Sequence, residues 1–504
     1  MLNDVGQVAF YARIEGPGVT SNNHDTIYTG NSAGTRLVAR EGSAAPDSGG
    51  GVFFGLIQPG HLSLNNQNDI AFIGGATVLN GNGIWREDGA TQILSGAYLE
   101  GETVPGSDPA DDETFSSFGT NNISLSSDGD VSFNASSTEN GITNWSERGG
   151  SLQRIISQDD PAPDLVDITI DRINNRTEII YNDEGHAAFT VSLTGTGVDS
   201  SNDAALYAET SSGVELIARE GDAAPGAGVG LLFGNSFVDG SPSGARPAIN
   251  GSDELLFYNN LTGPGVTGTN DASLWSTVGG GLELVARAGD QAPDRPAGQV
   301  FFDIANGNKR YAINDDGTIV FESGLSGPGV TSTSDRGIWA TDDNGDLFLV
   351  IAEGQTIDID PDAITTDLRT VSTFDFNDLN EGTAGRSQLF NNNDELLLPI
   401  TFTDGTSGLF VVDLSPAPIV VIGDGNCDGV VDLLDFDILA ANFGNNVTGG
   451  VKDADFNGDG VVDLLDFDIL AFAFAAAGSA QVVPEPGIAA MLSLGLLAFR
   501  RRRG

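Results

Sequence analysis

Short runs in which apolar and other residues alternate recur throughout the first 414 residues of the chain. Val8, Phe10 and Ala12 form the first of these runs. An alternation with a period of two residues is typical of a β-strand that buries one face, so we expect these three side chains to point into a core. This part of the chain has no helical period of 3.6 residues, which predicts a mainly β fold.

A turn motif precedes these runs and divides the region into repeats. The sequence NDVGQVAF at residues 3–10 returns as NDEGHAAF at 182–189 and as NDDGTIVF at 314–321. Seven copies are found, spaced 62, 61, 56, 68, 64 and 77 residues apart, and the looser ones begin at Asn65, Ser126, Asn250 and Asn391. Self-similarity at such a period predicts a repeat architecture.

The fourth residue of each copy indicates a turn. These residues are Gly6, Asn68, Gly129, Gly185, Asp253, Gly317 and Asp394. Glycine, asparagine and aspartate tolerate a left-handed backbone best. The Asn or Ser that opens each copy can bond through its side chain to the backbone two residues on, which favours a type I turn. We therefore expect a hairpin tip or a corner at each copy.

Other segments of the unit also recur. A Gly-rich loop follows the first strand in four units, at residues 16–20, 195–198, 263–267 and 327–331. Next come an aromatic strand, a strand such as LVARE at 37–41, and a turn of the type Gly-Asp-x-Ala-Pro, as at 289–293. A Phe-rich stretch then leads to the next turn. The unit is therefore predicted to contain four short strands.

Seven units of four strands predict a seven-bladed β-propeller, because one such sheet buries its apolar face only against neighbouring sheets. Tandem β-sandwiches and an open β-solenoid are the alternatives. The chain opens inside a repeat, with no strand before Asn3, and no obvious fourth strand follows Val411 and Val412. We expect either one blade closed by strands from both ends, or a longer N-terminus that carries a signal peptide.

The repeats resemble those of bacterial tandem-repeat proteins known by an NxxGxxAF motif. The resemblance covers residues 1–414 and is most specific in units one, four, five and six. Proteins of this group carry varied C-terminal anchors and have no assigned activity. The resemblance therefore implies a repeat domain without a known catalytic role.

Composition and charge restrict the partners of the protein. The 504 residues include 71 acidic and 22 basic ones, a formal net charge of -49. Such a surface repels phosphate backbones, so we expect no nucleic acid partner, and it favours divalent cations. The single cysteine, Cys427, rules out a disulfide framework. His24, His61 and His186 are too far apart in sequence for a zinc motif with the usual ligand spacing.

The repeated polar residues are the candidates for catalysis in the repeat region. They are Asp25, Asp203, Asp271 and Asp335 after the Gly-rich loops, and the Arg-Glu pairs 40–41 and 219–220. We interpret the aspartates as loop caps and the Arg-Glu pairs as bridges between blades, because a residue needed by one active site seldom recurs in every repeat. The sequence has no nucleophile elbow, phosphate loop or histidine-based triad, whereas a pair of catalytic carboxylates stays an open alternative.

A proline-containing linker, residues 415–422, leads to two acidic loops. The loops read DGNCDGVVDLLD at 424–435 and DFNGDGVVDLLD at 455–466. Both have oxygen-bearing side chains at positions 1, 3, 5, 9 and 12 and glycine at position 6, the template of a calcium loop in which position 7 offers a backbone carbonyl. Four carboxylates in each loop repel one another unless a cation compensates, and a flexible site of oxygens favours Ca²⁺ over Mg²⁺.

A helical period follows each loop. Phe436, Leu439, Ala440 and Phe443 share one face of the first predicted helix, and Phe467, Leu470, Ala471 and Phe474 share one face of the second. This succession of loops and helices resembles a type I dockerin module, over residues 423–477. The resemblance implies an EF-hand-like module that docks onto a cohesin domain. It also implies two bound Ca²⁺ ions, held by Asp424, Asn426, Asp428, Val430, Asp432 and Asp435, and by Asp455, Asn457, Asp459, Val461, Asp463 and Asp466.

One departure from the dockerin pattern concerns the partner. Dockerins often have small hydroxyl residues at loop positions 10 and 11, where this chain has leucines at 433–434 and 464–465. Cohesin docking and a purely structural calcium module therefore both stay open. In either case we expect the helices to fold only with calcium bound, because the aspartates of each loop repel one another.

The last residues, 483–504, form a separate segment. Pro484-Glu485-Pro486 precedes an apolar stretch at 488–499 and four arginines at 500–503. Twelve residues rise about 18 Å as a helix, less than a hydrocarbon core of about 30 Å, which predicts a short helix with transient membrane contact. The pattern resembles the PEP-CTERM sorting signal of Gram-negative bacteria, which implies cleavage by an exosortase near the Pro-Glu-Pro motif. An ordinary tail anchor is the alternative.

These features predict an exported protein of the cell envelope, cell surface or extracellular matrix of a Gram-negative-type bacterium. We expect it to be non-catalytic and to mediate contacts with proteins or extracellular polysaccharide. The alternative is a secreted carbohydrate-active enzyme, a glycoside hydrolase or lyase, whose catalytic domain is the propeller. A surface scaffold without a small ligand is a third possibility.

Overall fold

The chain divides into two compact units, Met1–Ser415 and Pro416–Gly504. The computed structural model describes the following residues: 3, 5–56, 62–79, 81–106, 112–173, 180–237, 247–304, 311–359, 367–376, 389–414, 433–447, 453–456 and 460–477.

The described part of the first unit forms seven antiparallel sheets in chain order. The first contains β1 (Val8–Arg13), β2 (Asp25–Asn31) and β3 (Gly34–Arg40). The second contains β4 (Phe53–Phe54), β5 (Leu62–Leu64), β6 (Ile70–Ala76), β7 (Gly81–Glu87) and β8 (Leu94–Leu99). The third contains β9 (Phe115–Leu125), β10 (Val131–Ser137), β11 (Ile142–Arg148) and β12 (Ser151–Ser157). The fourth contains β13 (Ile168–Ile173), β14 (Ile180–Tyr181), β15 (Ala187–Gly195), β16 (Ala204–Thr210) and β17 (Gly213–Arg219).

The remaining three sheets continue in the same way. The fifth contains β18 (Leu232–Phe233), β19 (Ala248–Ile249), β20 (Leu255–Thr262), β21 (Ala272–Ser276) and β22 (Glu283–Arg287), with a short 3-10 helix at Asn235–Phe237. The sixth contains β23 (Val300–Phe302), β24 (Tyr311–Ile313), β25 (Ile319–Ser326), β26 (Arg336–Thr341) and β27 (Leu347–Ala352). The seventh contains β28 (Thr356–Asp358), β29 (Leu368–Phe374), β30 (Glu395–Phe402) and β31 (Ser407–Asp413).

The sheets follow a common plan. In the second sheet β4 and β5 both pair with β6, and β7 and β8 follow in order. The fourth, fifth and sixth sheets repeat this arrangement, whereas the single long strand β9 replaces the two short strands in the third. The prediction of a mainly β, propeller-like repeat array is confirmed.

The first and seventh sheets depart from the plan. The first has the order β1-β2-β3 and begins with the strand that follows the Asn3 turn. In the seventh, β30 follows the Asn391 turn and β31 comes next, so the described residues contain no counterpart of β8 there. The fourth strand of this sheet is β28, which pairs with β29 on the other side.

Apolar side chains of neighbouring sheets form common cores. Ala9 and Ile27 of the first sheet share a buried cluster with Phe53, Phe72 and Trp85 of the second. The Trp85 ring lies edge-on to Phe53, with 5.0 Å between ring centroids, and stacks on Phe72 at 6.1 Å. Because burial of one such aromatic side chain contributes about 1.5–3 kcal/mol, each sheet is stabilised by its neighbour.

The predicted buried face of the first strand is wrong. Ala9 is fully buried, whereas Phe10 exposes 38% of its surface, and Val8 and Ala12 are half-buried. The corresponding side chain of the second sheet, Phe72, is fully buried in the core shared with the first sheet. Among the described residues no sheet precedes β1, so Phe10 has no such neighbour. The face that an alternating strand buries is therefore decided by the adjacent sheet.

The turn at the end of the first repeat forms hydrogen bonds to a β-bulge in the second sheet. The Pro46 carbonyl accepts a hydrogen bond from Trp85 Nε1 at 3.1 Å. Asp47, with φ of 62°, accepts one from the backbone N–H of Gly96 at 2.9 Å. Gly96 lies opposite Trp85, where the register between β7 and β8 shifts. The predicted Ala-Pro turn thus connects two sheets.

The second unit contains α1 (Leu433–Asn442) and α2 (Leu464–Ala477). Leu439 and Leu470 are buried in one small core with Ala454. Asn446 and Val461 form an antiparallel bridge between the segment after α1 and the segment before α2. The loop–helix order predicted for this region is present in its described part.

Only part of each predicted apolar helix face is buried. Leu439 and Leu470 are 2% and 3% exposed, whereas Phe436 and Phe467 are 42% and 38% exposed and pack edge to face at 6.2 Å. The other four predicted positions are exposed as well: Ala440, Phe443, Ala471 and Phe474. Helices of 10 and 14 residues give a core too small to enclose all of these side chains.

Candidate functional site

All seven predicted turns form, and the same bonds close each of them. The N–H of the fourth residue donates to the carbonyl of the first at 3.0–3.3 Å. The side-chain oxygen of the first residue accepts the N–H of the fifth at 2.8–3.0 Å. The fourth residue has a positive φ in every copy, from 58° at Asp394 to 86° at Gly129. The predicted turn chemistry is confirmed.

The side-chain amides of the turn asparagines connect consecutive turns. Each Nδ2 donates to the first carbonyl of the next turn, at 2.7–3.4 Å, from Asn3 to Asn65, Asn65 to Ser126, Asn182 to Asn250, Asn250 to Asn314 and Asn314 to Asn391. We call these five bonds the asparagine ladder. The junction after the third turn lacks one, because Ser126 has no amide to donate.

Buried ion pairs also join neighbouring sheets. Arg36 pairs with Glu87 of the second sheet. Two more pairs of this kind follow, Arg86 with Glu147 at 2.9 Å and Arg148 with Glu209 at 2.5 Å. All three glutamates are buried. Removal of one arginine would leave a buried, uncompensated carboxylate, so these pairs are expected to stabilise the junctions between the sheets.

The predicted roles of the loop residues require correction. Asn23 Oδ1 accepts the N–H of Thr20 at 2.7 Å and its Nδ2 donates to the Gly18 carbonyl at 3.2 Å, so the asparagine caps the loop and not the aspartate two residues later. The Arg-Glu pair 40–41 was predicted to bridge blades, but the Arg40 Nε donates to the Asn23 carbonyl of the same sheet at 2.8 Å. Only Glu41 makes such a bridge, because its Oε1 accepts the N–H of Gly55 in the second sheet at 2.8 Å. An amide suits the cap better than a carboxylate because it both accepts and donates.

A glutamate lies beside the loop aspartate in two sheets. In the fourth, burial and the nearby Asp203 charge raise the pKa of Glu220 to about 7. In the sixth, burial raises the pKa of Glu353, while the Arg336 guanidinium at 3.5 Å opposes this shift. A carboxyl whose pKa lies near neutrality can hold or release a proton under physiological conditions.

A histidine and two carboxylates meet at the corresponding place in the first sheet. His24, Asp25 and Glu41 offer ligand atoms that all lie within 4.8 Å of one another. His24 Nδ1 is 3.3 Å from Glu41 Oε2, and Nε2 is 3.7 Å from Asp25 Oδ1. Within the described ranges, this is the one group of His, Cys, Asp and Glu side chains whose spacing suits a metal ion.

The sequence prediction missed this group because it compared the histidines only with one another. The available signal was a departure from the repeat. Residues 24–25 read His-Asp, whereas the fourth and fifth repeats have Asp-Ala at 203–204 and 271–272.

The structure describes five of the twelve predicted calcium ligands: Asp435, Asp455, Val461, Asp463 and Asp466. The others lie outside the described residues: Asp424, Asn426, Asp428, Val430, Asp432, Asn457 and Asp459.

The described part of the second loop fits a cation. Asp455 Oδ2 accepts the N–H of Gly460 at 2.9 Å, and this glycine has a φ of 84°. Asp466 Oδ2 accepts the N–H of Asp463 at 2.9 Å. Asp435 and Asp466, the twelfth residues of their loops, are fully buried. Buried carboxylates need hydrogen bonds or a positive partner, and a set of oxygen ligands suits Ca²⁺.

Exposed leucines lie at the start of both helices. Leu434 is 56% exposed, and Leu464 and Leu465 are 68% and 58% exposed. Phe443 and Phe474 are also about half exposed. Exposed apolar side chains of this size make the two helices a candidate interaction site.

Fold and site together define a class: a propeller-like β-repeat protein joined to a small helical module with two predicted calcium loops. The chain belongs to the family of unknown function DUF7453, which matches residues 1–246 and 235–420. Residues 422–474 match the dockerin type I domain, so the predicted dockerin-like module is confirmed. No curated protein sequence matches the chain.

Several solved β structures are similar to the chain. The β-propeller domain of the Trilobed protease from Pyrococcus furiosus is 10% identical, with 81% of this chain and 91% of that chain covered and a TM-score of 0.37. Porphyromonas gingivalis dipeptidyl peptidase 4 is 9% identical, with 82% and 50% covered and a TM-score of 0.38. A PL25 polysaccharide lyase, an ulvan lyase, is 9% identical, with 82% and 91% covered and a TM-score of 0.31. These similarities transfer no function to the chain.

The predicted sorting segment, residues 483–504, lies outside the described residues. In the part of the chain that the structure describes, no helix combines the length and the apolar character needed to cross a membrane.

Proposed function

We propose that the protein is exported and non-catalytic and that its C-terminal module docks onto an extracellular protein when calcium is bound. One observation carries this proposal. The twelfth residue of each predicted calcium loop, Asp435 or Asp466, is fully buried in the first turn of a helix that also presents exposed leucines. Metal binding and partner binding would therefore share the same two helices.

The module binds two Ca²⁺ ions, one in each loop, through the twelve ligands predicted from the sequence. Bound calcium supplies the positive charge that lets four carboxylates lie close together. Asp455 and Asp466 orient the second loop through their bonds to backbone N–H groups. Asp435 is the counterpart of Asp466 in the first loop.

The docking surface consists of the exposed leucines of both helices, and its partner is a cohesin-like domain. We expect the full chain to bind one member of a panel of purified cohesin domains in calcium and not in EDTA, measured by biolayer interferometry. Replacing both Leu434 and Leu464 by Glu should weaken binding at least about tenfold, because apolar anchors dominate such interfaces. Leu409→Glu, at a leucine of β31 that is 65% exposed, is the matched control. Calcium binding without binding to any cohesin domain would contradict the docking proposal and would favour a purely structural role for the module.

The repeat region supplies a second, polar interaction surface, for extracellular polysaccharide or protein. A groove between the second and third sheets is lined by Asp69, Arg86, Thr91 and Asp130. These charged and hydroxyl groups suit hydrogen bonds to sugars. Affinity electrophoresis of the full chain in gels that contain acidic or neutral polysaccharides tests this part, and unchanged mobility in all gels would contradict it.

The segment at 483–504 directs the protein to the envelope or surface of a Gram-negative-type bacterium. In this proposal an exosortase cleaves near Pro484-Glu485-Pro486 after transient membrane contact of the apolar stretch. Mass spectrometry of the protein recovered from an exosortase-containing host should show a shortened C-terminus. Replacing residues 484–486 by alanine should abolish the shortening, and an intact C-terminus in both proteins would favour a tail anchor.

One observation favours the alternative of a secreted glycoside hydrolase or lyase. Glu220, with its pKa raised to about 7 by burial and by Asp203, has the property required of a general acid. A screen for new reducing ends or unsaturated products on polysaccharides tests it. Turnover lost in Glu220→Gln but kept in Glu215→Gln, in the adjoining strand β17, would support the enzyme. Absence of turnover, or turnover that survives Glu220→Gln, would contradict this assignment.

A further inference from the structure

His24 occupies a defined position of the repeat. Its carbonyl accepts the N–H of Ile14 at 2.8 Å, just as the Asp203 carbonyl accepts the N–H of Leu193 at 2.7 Å in the fourth sheet. His24 is therefore the counterpart of the loop aspartate.

Asp25 and Glu41 face each other across the sheet in the same way as a pair in the fourth sheet. The N–H of Glu41 donates to the Asp25 carbonyl at 3.0 Å, and that of Glu220 donates to the Ala204 carbonyl at 2.9 Å. Glu41 thus corresponds to Glu220, whereas Asp25 replaces an alanine. The first sheet has a second carboxylate where the fourth has none.

In two other repeats the negative charge of the buried glutamate is either compensated by an arginine or absent. In the sixth sheet Arg336 stands in the place of Asp25, and its guanidinium lies 3.5 Å from Glu353 and 2.8 Å from Glu322. In the fifth sheet Ala288 replaces the glutamate itself. The sixth sheet therefore has a cation at the position of Asp25, and the fifth has lost the acid.

The first sheet gathers negative charge instead. Asp25 and Glu41 are only 7% and 6% exposed. The Arg13 Nε donates to Asp25 Oδ1 at 3.0 Å, but the arginine side chain is 62% exposed. His24 Nδ1 is buried and makes no hydrogen bond, although Glu41 Oε2 lies 3.3 Å away. Two buried carboxylates thus lie beside an imidazole whose Nδ1 makes no hydrogen bond, and one ligand atom from each of the three residues lies within 4.8 Å of the others.

We propose that His24, Asp25 and Glu41 bind a divalent transition-metal ion of the Zn²⁺ class. The 3.3 Å between the nitrogen and oxygen ligands fits two bonds of about 2.0–2.2 Å to one tetrahedral ion. An imidazole ligand favours such a metal over Ca²⁺, which takes oxygen ligands. Three protein ligands leave a fourth position for water or for a group of a partner molecule.

Neighbouring groups already orient the carboxylate ligands. The Tyr11 hydroxyl and the Arg13 guanidinium donate to Asp25 Oδ1, and the N–H of Gly55, in the second sheet, donates to Glu41 Oε1 at 2.8 Å. Hydrogen bonds to ligating carboxylates are typical of protein metal sites. Because Gly55 follows β4, metal binding would also stabilise the junction of the first two sheets.

The test uses the full chain with saturating calcium, so that the acidic loops are filled. Zn²⁺ is added in competition with a chromophoric chelator, and we expect one tight site per chain. His24→Asp restores the residue that other repeats carry at this position and should weaken Zn²⁺ binding at least about tenfold. Asp25→Ala, which restores the alanine of the fourth and fifth repeats, should do the same.

Two controls separate this site from the rest of the molecule. His186→Asn, at a histidine outside the group, and Asp466→Ala, in the second calcium loop, should leave the tight Zn²⁺ site intact. Thermal midpoints without Zn²⁺ verify that His24→Asp and Asp25→Ala fold, and only a folded variant is compared. A wild-type chain that binds no Zn²⁺ more tightly than these variants would overturn the proposal, whatever the outcome for calcium and docking.

Discussion

The asparagine that opens each turn has two functions in one side chain. Its Oδ1 closes its own turn, while its Nδ2 reaches the carbonyl of the next turn, as Asn182 does to Asn250. The sequence predicts the first function because local spacing determines it. It does not predict the second, because the next turn is 68 residues away and becomes a neighbour only through sheet packing. The partner of His24, Glu41, is likewise distant in sequence and follows the strand β3, so a comparison of the histidines with one another could not find it.

The buried acid Glu220 makes stability depend on pH. Its pKa is raised from 4.5 to about 7, so the native state binds a proton more tightly than the unfolded state. The contribution of Glu220 to the free energy of unfolding should therefore fall as pH rises from about 4.5 to about 7. Glu220→Gln should unfold at higher denaturant concentration than the wild type at about pH 8, and at a similar one at about pH 4.5. Glu215→Gln, at an exposed position of the adjoining strand β17, should show no such difference.

His186 gives a second pH-dependent contact. Its hydrogen bond from Nδ1 to Asp253, at 2.6 Å between two turns, raises its pKa above 6.5. Protonated His186 therefore stabilises the junction at low pH, and this contribution is lost as pH rises through the raised pKa. We expect an NMR titration of the His186 ring to show a pKa above 6.5 that falls in Asp253→Asn, whose asparagine tolerates the positive φ of 64°. An unchanged midpoint would show that Asp253 has no such effect.

At the scale of elements, strands and helices were predictable, but the faces that they bury were less so. The alternation of β1 is present, yet Ala9 and not Phe10 enters the core, because the adjacent sheet lies on that side. In the helical unit, Leu439 is buried as expected while Phe436 is half exposed. Period alone identifies an element, whereas burial depends on the size and position of its neighbours.

The asparagine ladder makes a prediction about the coupling of sheets. Asn250→Ala removes its turn bonds and the 2.9 Å bond to the Asn314 carbonyl. Asn391→Ala removes the same kind of turn bonds, but its Nδ2 donates to Glu395 of its own turn. Asn250→Ala should therefore lower the free energy of unfolding by about 1–3 kcal/mol more than Asn391→Ala, measured by chemical denaturation. Equal losses would mean that the ladder contributes nothing beyond the turns.

At the scale of the whole molecule, the two units follow different physical rules. Sheets of the repeat region are stabilised by neighbours through shared cores and the ladder, which needs no metal. The helical unit has a small core around Leu439 and Leu470 and places two fully buried aspartates beside it. The sequence predicted both units, because turn residues and loop ligands repeat at fixed spacings. It could not predict how consecutive sheets bond to one another.

Calcium removal is expected to act on one unit only. With EDTA the aspartates of each loop repel one another, so the first turns of α1 and α2 are no longer held in place and the helices unfold. The sheets keep their hydrogen bonds and shared cores. The most direct measurement is hydrogen exchange of the full chain followed by mass spectrometry, with about 1 mM calcium and with EDTA.

We predict that EDTA accelerates exchange in Leu433–Asn442 and Leu464–Ala477 at least about a hundredfold and leaves strands such as β6 and β20 unchanged. Equal protection of both helices with calcium and with EDTA would contradict the account of a calcium-folded docking module.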